Sequence, residues 1–242
     1  MKFFKFGLIS IILNLTSFFL GTVHKIDVAT AAATLQMNLP EDMRISKLMR
    51  RLCGEKNSTQ ALDLCEKLKI VIFDASNALY IRRSFDILSE SIVQVLKDGP
   101  DECVDVVAEL FGMIGFIIRA EFNLYRNWIV RCYKITSLRV PMMRALLKTL
   151  ELDMAMGKQD LRENSQRIMD LLKDFLENAE ETQLFIAITK TIKQFSLIYP
   201  KTFEPHFTDI VDIVVGWHLE TDQSVELKQH CSNILQNFKK FW

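Results

Sequence analysis

Apolar residues recur at steps of three and four from about residue 41 to the end of the chain, and that spacing restricts the fold more than any other feature. Ala61, Cys65, Leu68 and Ile72 form one stripe, and Ile81, Phe85, Leu88, Ile92 and Val95 the next. Val104, Val107, Phe111 and Ile114 follow, then Met142, Leu146, Leu150 and Met154, then Ile168, Leu171, Leu172 and Phe175. Leu184, Ile188, Ile192 and Phe195 make another, followed by Phe207, Ile210, Val214 and Trp217, and finally Leu227, Cys231, Ile234 and Phe238. Each spacing gathers its members on one face of an α-helix. No segment alternates long enough to compete as a strand. With 8 glycines and 5 prolines in 242 residues, the chain also lacks the turns that an all-β fold needs about every 8–12 residues.

Turn chemistry separates the stripes. Asp98-Gly99-Pro100-Asp101 is a stop and restart. Gly157 suits a left-handed helix end, and Asp160 with Glu163 reads as the capping box of the next helix. Tyr199-Pro200 ends a helix, and Pro205 fits the first turn of the following one. Helices of this length with short links occupy about 40 residues per pair, the period of HEAT-type repeats. The expected fold is therefore all-α: a HEAT/armadillo-like α-solenoid of antiparallel helix pairs over residues 41–242, with a compact helical bundle as the alternative.

Residues 1–40 differ. Phe6 to His24 carries no Asp, Glu, Lys or Arg, and Lys2 and Lys5 precede it. Three readings stay open for this apolar leader: a secretory signal, a membrane anchor, or a stretch foreign to the functional ancestor of the protein. Membrane contact or secretion is expected only if residues 6–24 are genuine. The sequon Asn57-Ser58-Thr59 carries weight only in that case, and Ser58 and Thr59 otherwise read as helix capping after a stop at Gly54.

Charge and motifs narrow the function. Lys+Arg and Asp+Glu both number 30, so the basic excess of a dedicated nucleic-acid binder is absent. Five widely spaced cysteines form no C-x-x-C and no even-numbered framework, and read as free thiols in a reducing compartment. The chain carries no phosphate-cradling glycine loop, H-R-D, D-F-G, G-x-S-x-G or H-E-x-x-H. No catalytic residue, cofactor or metal is expected. His206, Asp209 and Asp212 share a helix face at steps of three, but a solvated helix explains them without a metal. Arg44, Lys47, Arg50 and Arg51 form a basic cluster, either a partner surface or a solvated helix face. Tyr125, Trp128 and Tyr133 lie beside Arg126 and Arg131, as base-stacking platforms or as packing and cation–π pairs.

Residues 199–220 add a resemblance. The string Phe207-x-Asp209-x-Val211-Asp212-Ile213-x-Val215-Gly216-Trp217-His218 resembles a stretch in the amino-terminal solenoid of the nonsense-mediated mRNA decay kinase, one of the phosphatidylinositol-kinase-related protein kinases. Arg44-Ile-Ser-Lys-Leu-Met-Arg-Arg-Leu52 resembles the start of the same solenoid, and the closing Phe241-Trp242 resembles the family's chain soon after the Gly-Trp-His motif. The resemblance implies a serine/threonine kinase whose amino-terminal solenoid does no chemistry and docks regulatory protein subunits, in cytoplasm or nucleus. Two departures stand out: the family opens on a polar segment and continues far beyond this length to a kinase domain. Phe207, Val211 and Trp217 are expected to pack between helices, Gly216 to allow a close backbone approach or a bend, and His218 to cap the helix end. A chain stopping at Trp242 is expected to expose an apolar end.

Overall fold

The computed structural model describes residues 44–157, 161–220 and 224–241. The apolar segment 6–24, Asp160 and Trp242 lie outside the described residues. The described residues fall into two units, split between Ile118 and Arg119.

In the first unit, α1 (Ile45–Gly54) and α2 (Ser58–Phe73) form one pair, and α4 (Phe85–Asp98) and α5 (Val104–Ile117) the next. The short helix α3 (Ala78–Arg83) leads into the second pair. Connections this short make the partners of a pair antiparallel. α1 packs on α4 and α2 packs on α5, so like stacks on like. Local chemistry sets the ends. Gly54 closes α1, and α2 is capped by Asn57, whose side chain accepts the Gln60 N–H. The expectation that Ser58 or Thr59 does the capping is corrected accordingly: Ser58 is the first helical residue, and its hydroxyl bonds Glu102. The stripe Ile81 to Val95 is buried throughout but runs across a break at Ser84, so it belongs to two helices.

The second unit holds three pairs: α6 (Phe122–Tyr133) with α7 (Arg139–Ala155), α8 (Ser165–Glu177) with α9 (Thr182–Ile198), and α11 (Phe207–Leu219) with α12 (Val225–Phe238). The one-turn α10 (Pro200–Phe203) starts at Pro200, immediately after α9 ends. α7, α9 and α12 pack in succession, and α8 packs on α11. The second helices of the pairs start at Arg139, Thr182 and Val225, a spacing of about 43 residues.

That period reappears as hydrogen bonds between successive repeats. In the first unit Cys53 Sγ donates to the Ser91 carbonyl and Lys56 Nζ to the Asp98 carbonyl, 38 and 42 residues away. In the second, Tyr133 reaches Phe175, Arg167 reaches Asn123, and Tyr199 reaches Asp153, over 42, 44 and 46 residues. Within each unit the core is the seam between pairs, as solenoid stacking requires. The expected all-α, solenoid-type arrangement of helix pairs is what the units contain.

One further expectation needs correction. Met154, counted as a core residue, is 52% exposed, and Asp153 beside it is fully buried. The helix turns its polar residue inward because the Tyr199 hydroxyl waits there to donate to the carboxylate, which offsets the cost of burial. The last pair, α11 and α12, exposes Leu219 and Val225 at 70% and 86%, and α12 is otherwise polar where it meets solvent. Its exposed positions are Glu226, Gln229, Asn233, Gln236 and Asn237, with Val225 the single exposed apolar residue on that helix.

Candidate interaction surfaces

The signature string forms α11. Ile210, Val211 and Val214 point into the core, while Asp209 and Asp212 are exposed and Phe207, Trp217 and His218 are half-buried. Trp217 stacks on Phe185 of α9, with ring centroids 4.4 Å apart and 20° between planes. Phe207 meets Phe203 and Phe238 edge-on at 6.2 and 6.5 Å. Phe207 and Trp217 thus make ring contacts with other helices, and Val211 is buried.

Gly216 does not do what was expected of it. It sits exposed inside a regular helix, and a Cβ built there would meet nothing within 4 Å. Neither a close approach nor a bend requires glycine at this position. The end of α11 is closed by the Glu220 N–H bonding the Gly216 carbonyl. His218 does not cap the helix: its Nδ1 is shielded from solvent without a hydrogen-bond partner among the described residues.

The histidine and carboxylates of the conceivable metal group face different neighbours. His206 Nε2 lies 3.1 Å from the Gln166 amide of α8. Asp209 accepts from Lys173 of α8, and this bond holds the Asp209 carboxyl below the usual carboxylate range and lifts the Lys173 ammonium above its own. These are inter-repeat ties on a solvated face. Among the described residues no three His, Cys, Asp or Glu side chains converge as a metal site would require.

On α1, Arg44, Ser46, Lys47, Arg50 and Arg51 line a hollow of about 360 Å³. Arg44 and Lys47 are half-buried, Arg50 and Arg51 exposed. Steps of three and four place Arg44, Lys47 and Arg51 on one face. The arrangement gathers positive charge around a concavity, suited to carboxylate or phosphate groups.

The aromatic group on α6 divides. Tyr125 is fully buried and shares a hydrogen bond with Thr149 of α7. Tyr133 stacks flat on Phe175 of α8, with centroids 3.6 Å apart, and Arg139 covers the Tyr133 ring. Neither tyrosine is a platform for bases. Trp128 is half-buried beneath Arg131, whose guanidinium lies 5.0 Å from the ring centroid.

Sequence reasoning passed over a set of buried polar ties in the second unit. Thr189 Oγ1 lies 2.8 Å from both the Phe185 carbonyl and Nε2 of His230 of α12, which ties α9 to α12. Ser165 of α8 meets Thr202 of α10 at 3.1 Å. The available signal was a polar residue flanking an apolar stripe, as Thr189 flanks Ile188.

The curated proteins that the chain matches include two kinases. It is 40% identical over 203 residues to the serine/threonine-protein kinase Smg1 of Drosophila melanogaster, covering 84% of this chain. The chain is homologous to a segment of the Smg1 serine/threonine-protein kinases. A second Smg1 relative, from Danio rerio, is 25% identical over 206 residues, again 84% of this chain. The chain spans about 6% of the length of either Smg1 relative. No family model matches the chain, and no solved structure does. Among the described residues, no helix is long and apolar enough to cross a membrane.

Proposed function

We propose that this chain is a non-catalytic protein-interaction scaffold: the solenoid segment of a Smg1-type serine/threonine kinase acting in nonsense-mediated mRNA decay. The observation that carries the reading is the inter-repeat register. A polar or aromatic tie about every 40 residues stiffens stacked helix pairs, and stacked pairs make extended surfaces for partners. The polar side chains are spent on these ties rather than gathered around a reacting centre. The relatives at 40% and 25% identity are kinases, and the Phe207–His218 string adds the resemblance to the amino-terminal solenoid. In this reading kinase activity belongs to the parent protein, regulatory subunits of its complex dock on the helical surface, and direct nucleic-acid contact is absent because net charge is zero. Cys53, Cys65, Cys103, Cys132 and Cys231 are all free thiols, which supports the cytoplasm or nucleus as the compartment.

Two measurements test the reading. The full chain incubated with labelled ATP and a Ser/Thr peptide should transfer no phosphate; transfer would overturn the scaffold assignment. Sequencing the transcript across both ends of the reading frame should show continuation into a kinase domain. A transcript ending at Trp242 would remove the kinase-segment reading and leave a stand-alone helical scaffold.

A further inference from the structure

Among the methionines of the described residues, Met154 stands apart. Met49, Met113, Met142, Met143 and Met169 are at most 2% exposed, and Met156 is half-buried. Met154, in the last turn of α7, is 52% exposed. The cause is local. Asp153 turns inward to meet the Tyr199 hydroxyl, and the helix period then carries its neighbour outward. The exposed thioether is nevertheless held. Gln194 of α9, one repeat on, donates its side-chain amide to Met154 Sδ at 3.1 Å. Leu197, 46% exposed, follows Gln194 by three residues on the same face of α9, so it lies on the same side of the α7–α9 seam as the sulfur.

A thioether sulfur carries two lone pairs, and an oxidant needs access to only one of them. The Gln194 amide engages one pair. The exposure of the side chain leaves the other to solvent. We propose that Met154 is a site of reversible sulfoxidation by hydrogen peroxide, with oxygen added on the lone pair that Gln194 leaves open. The open pair attacks one peroxide oxygen, so that an S–O bond forms as the O–O bond breaks. The proton of the transferred oxygen passes to the departing hydroxide, which leaves as water. The sulfur loses two electrons and the peroxide gains them. Because one lone pair is engaged, one epimer of the sulfoxide predominates. A methionine sulfoxide reductase restores the thioether, releasing the oxygen as water while two thiols become a disulfide.

In a core position the same change would set a strong dipole among apolar side chains. At Met154 it falls outside the seam and leaves the Asp153–Tyr199 bond beneath it intact. The patch beside Leu197 turns from apolar to hydrogen-bond accepting. The site stands on the α7–α9 geometry, whether or not the scaffold reading holds.

The test treats the full chain briefly with hydrogen peroxide at neutral pH and follows oxygen uptake at each methionine by peptide mass spectrometry. Met154 should be oxidised before Met156. It should react about tenfold or more faster than Met49, Met113, Met142, Met143 and Met169, which wait on an opening of the fold. Treatment with each of the two epimer-specific sulfoxide reductases should reveal one epimer in excess. Gln194→Glu keeps the shape and loses the donor, and Gln194→Leu loses the polar group as well. Either should bring the epimers toward equality, with far-ultraviolet circular dichroism unchanged. The chain oxidised at Met154 alone should melt at the temperature of the untreated chain. Oxidation of the five buried methionines at the rate of Met154, equal epimers in the parent chain, or an excess that survives both Gln194 variants overturns the proposal. A lower melting temperature after oxidation confined to Met154 also overturns it, because the sulfur would then belong to the packing of the seam.

Discussion

Trp217 of α11 lies almost flat on Phe185 of α9, at 4.4 Å between ring centroids. Phe185 is fully buried, whereas Trp217 keeps part of its ring at the surface. The pair therefore welds one repeat to the next while leaving an indole edge outside. Trp217→Ala removes both the stack and the burial, and should cost about 2–4 kcal/mol in equilibrium urea unfolding. A variant of unchanged stability that fails to bind a partner would assign Trp217 to recognition instead of packing.

Two glycines should respond in opposite ways to alanine. Gly157 has φ +62° at the end of α7, in the left-handed region, so Gly157→Ala should destabilise by about 1 kcal/mol despite the open space around it. Gly216 lies in a regular, exposed stretch of α11 with room for a methyl group, so Gly216→Ala should stabilise by about 0.5–1 kcal/mol. Thermal melting of the two variants against the parent chain decides both. A loss of partner binding in a stabilised Gly216→Ala chain would show that the glycine serves a contact and not the fold.

Much of the helical order was legible because burial follows the 3.6-residue period. Ala61, Cys65, Leu68 and Ile72 are all buried as their spacing demands, and so are Leu184, Ile188, Ile192 and Phe195. Legibility failed where a tertiary partner outweighed local hydropathy. Nothing near Asp153 in sequence announces the Tyr199 hydroxyl that lets it turn inward in place of Met154. The same holds for His230 and Thr189, which meet across 41 residues. The expected role of Gly216 failed differently, because glycine's capacity for unusual conformations does not mean that a given glycine uses it. Of the surface candidates, the sequence located the cations of α1 and the aromatic group of α6. Burial sets apart Tyr125, whereas Trp128 and Tyr133 are both half-buried and differ in the flat stack of Tyr133 on Phe175.

His230 should make stability depend on pH. Burial lowers its pKa most, Lys190 and Lys193 add repulsion, and Glu226 acts weakly in the other direction. The unfolded chain thus takes up this proton at higher pH than the folded one. The contribution is fully present above the ordinary histidine value of 6.5 and is lost as pH falls through that value toward the lower folded one. The melting temperature should decline on acidification from neutral pH through this window. His230→Gln keeps a hydrogen-bonding group beside Thr189 and should flatten the decline. An equally steep decline in the variant would place the proton uptake elsewhere.

The thiols should label in a fixed order. Cys65 is buried in the first unit, and its pKa is pushed up to about 12 by burial first and the neighbouring Cys103 second, with Lys69 opposing. At pH 8 its thiolate fraction is on the order of one part in 10⁴, and the reagent cannot reach it without an opening of the fold. Cys103, Cys132 and Cys231 are likewise buried. Cys53 is half-buried on α1, with its Sγ donating to the Ser91 carbonyl at 3.6 Å, and burial raises its pKa as well. Under native conditions a disulfide reagent should therefore modify Cys53 first. The other four should follow only as rapidly as unfolding exposes them. Cys53→Ser should abolish the early phase and leave the late one. Early labelling of Cys65 in the native chain would mean that the seam between the α1–α2 and α4–α5 pairs opens locally, and would make the first unit the weaker part of the scaffold.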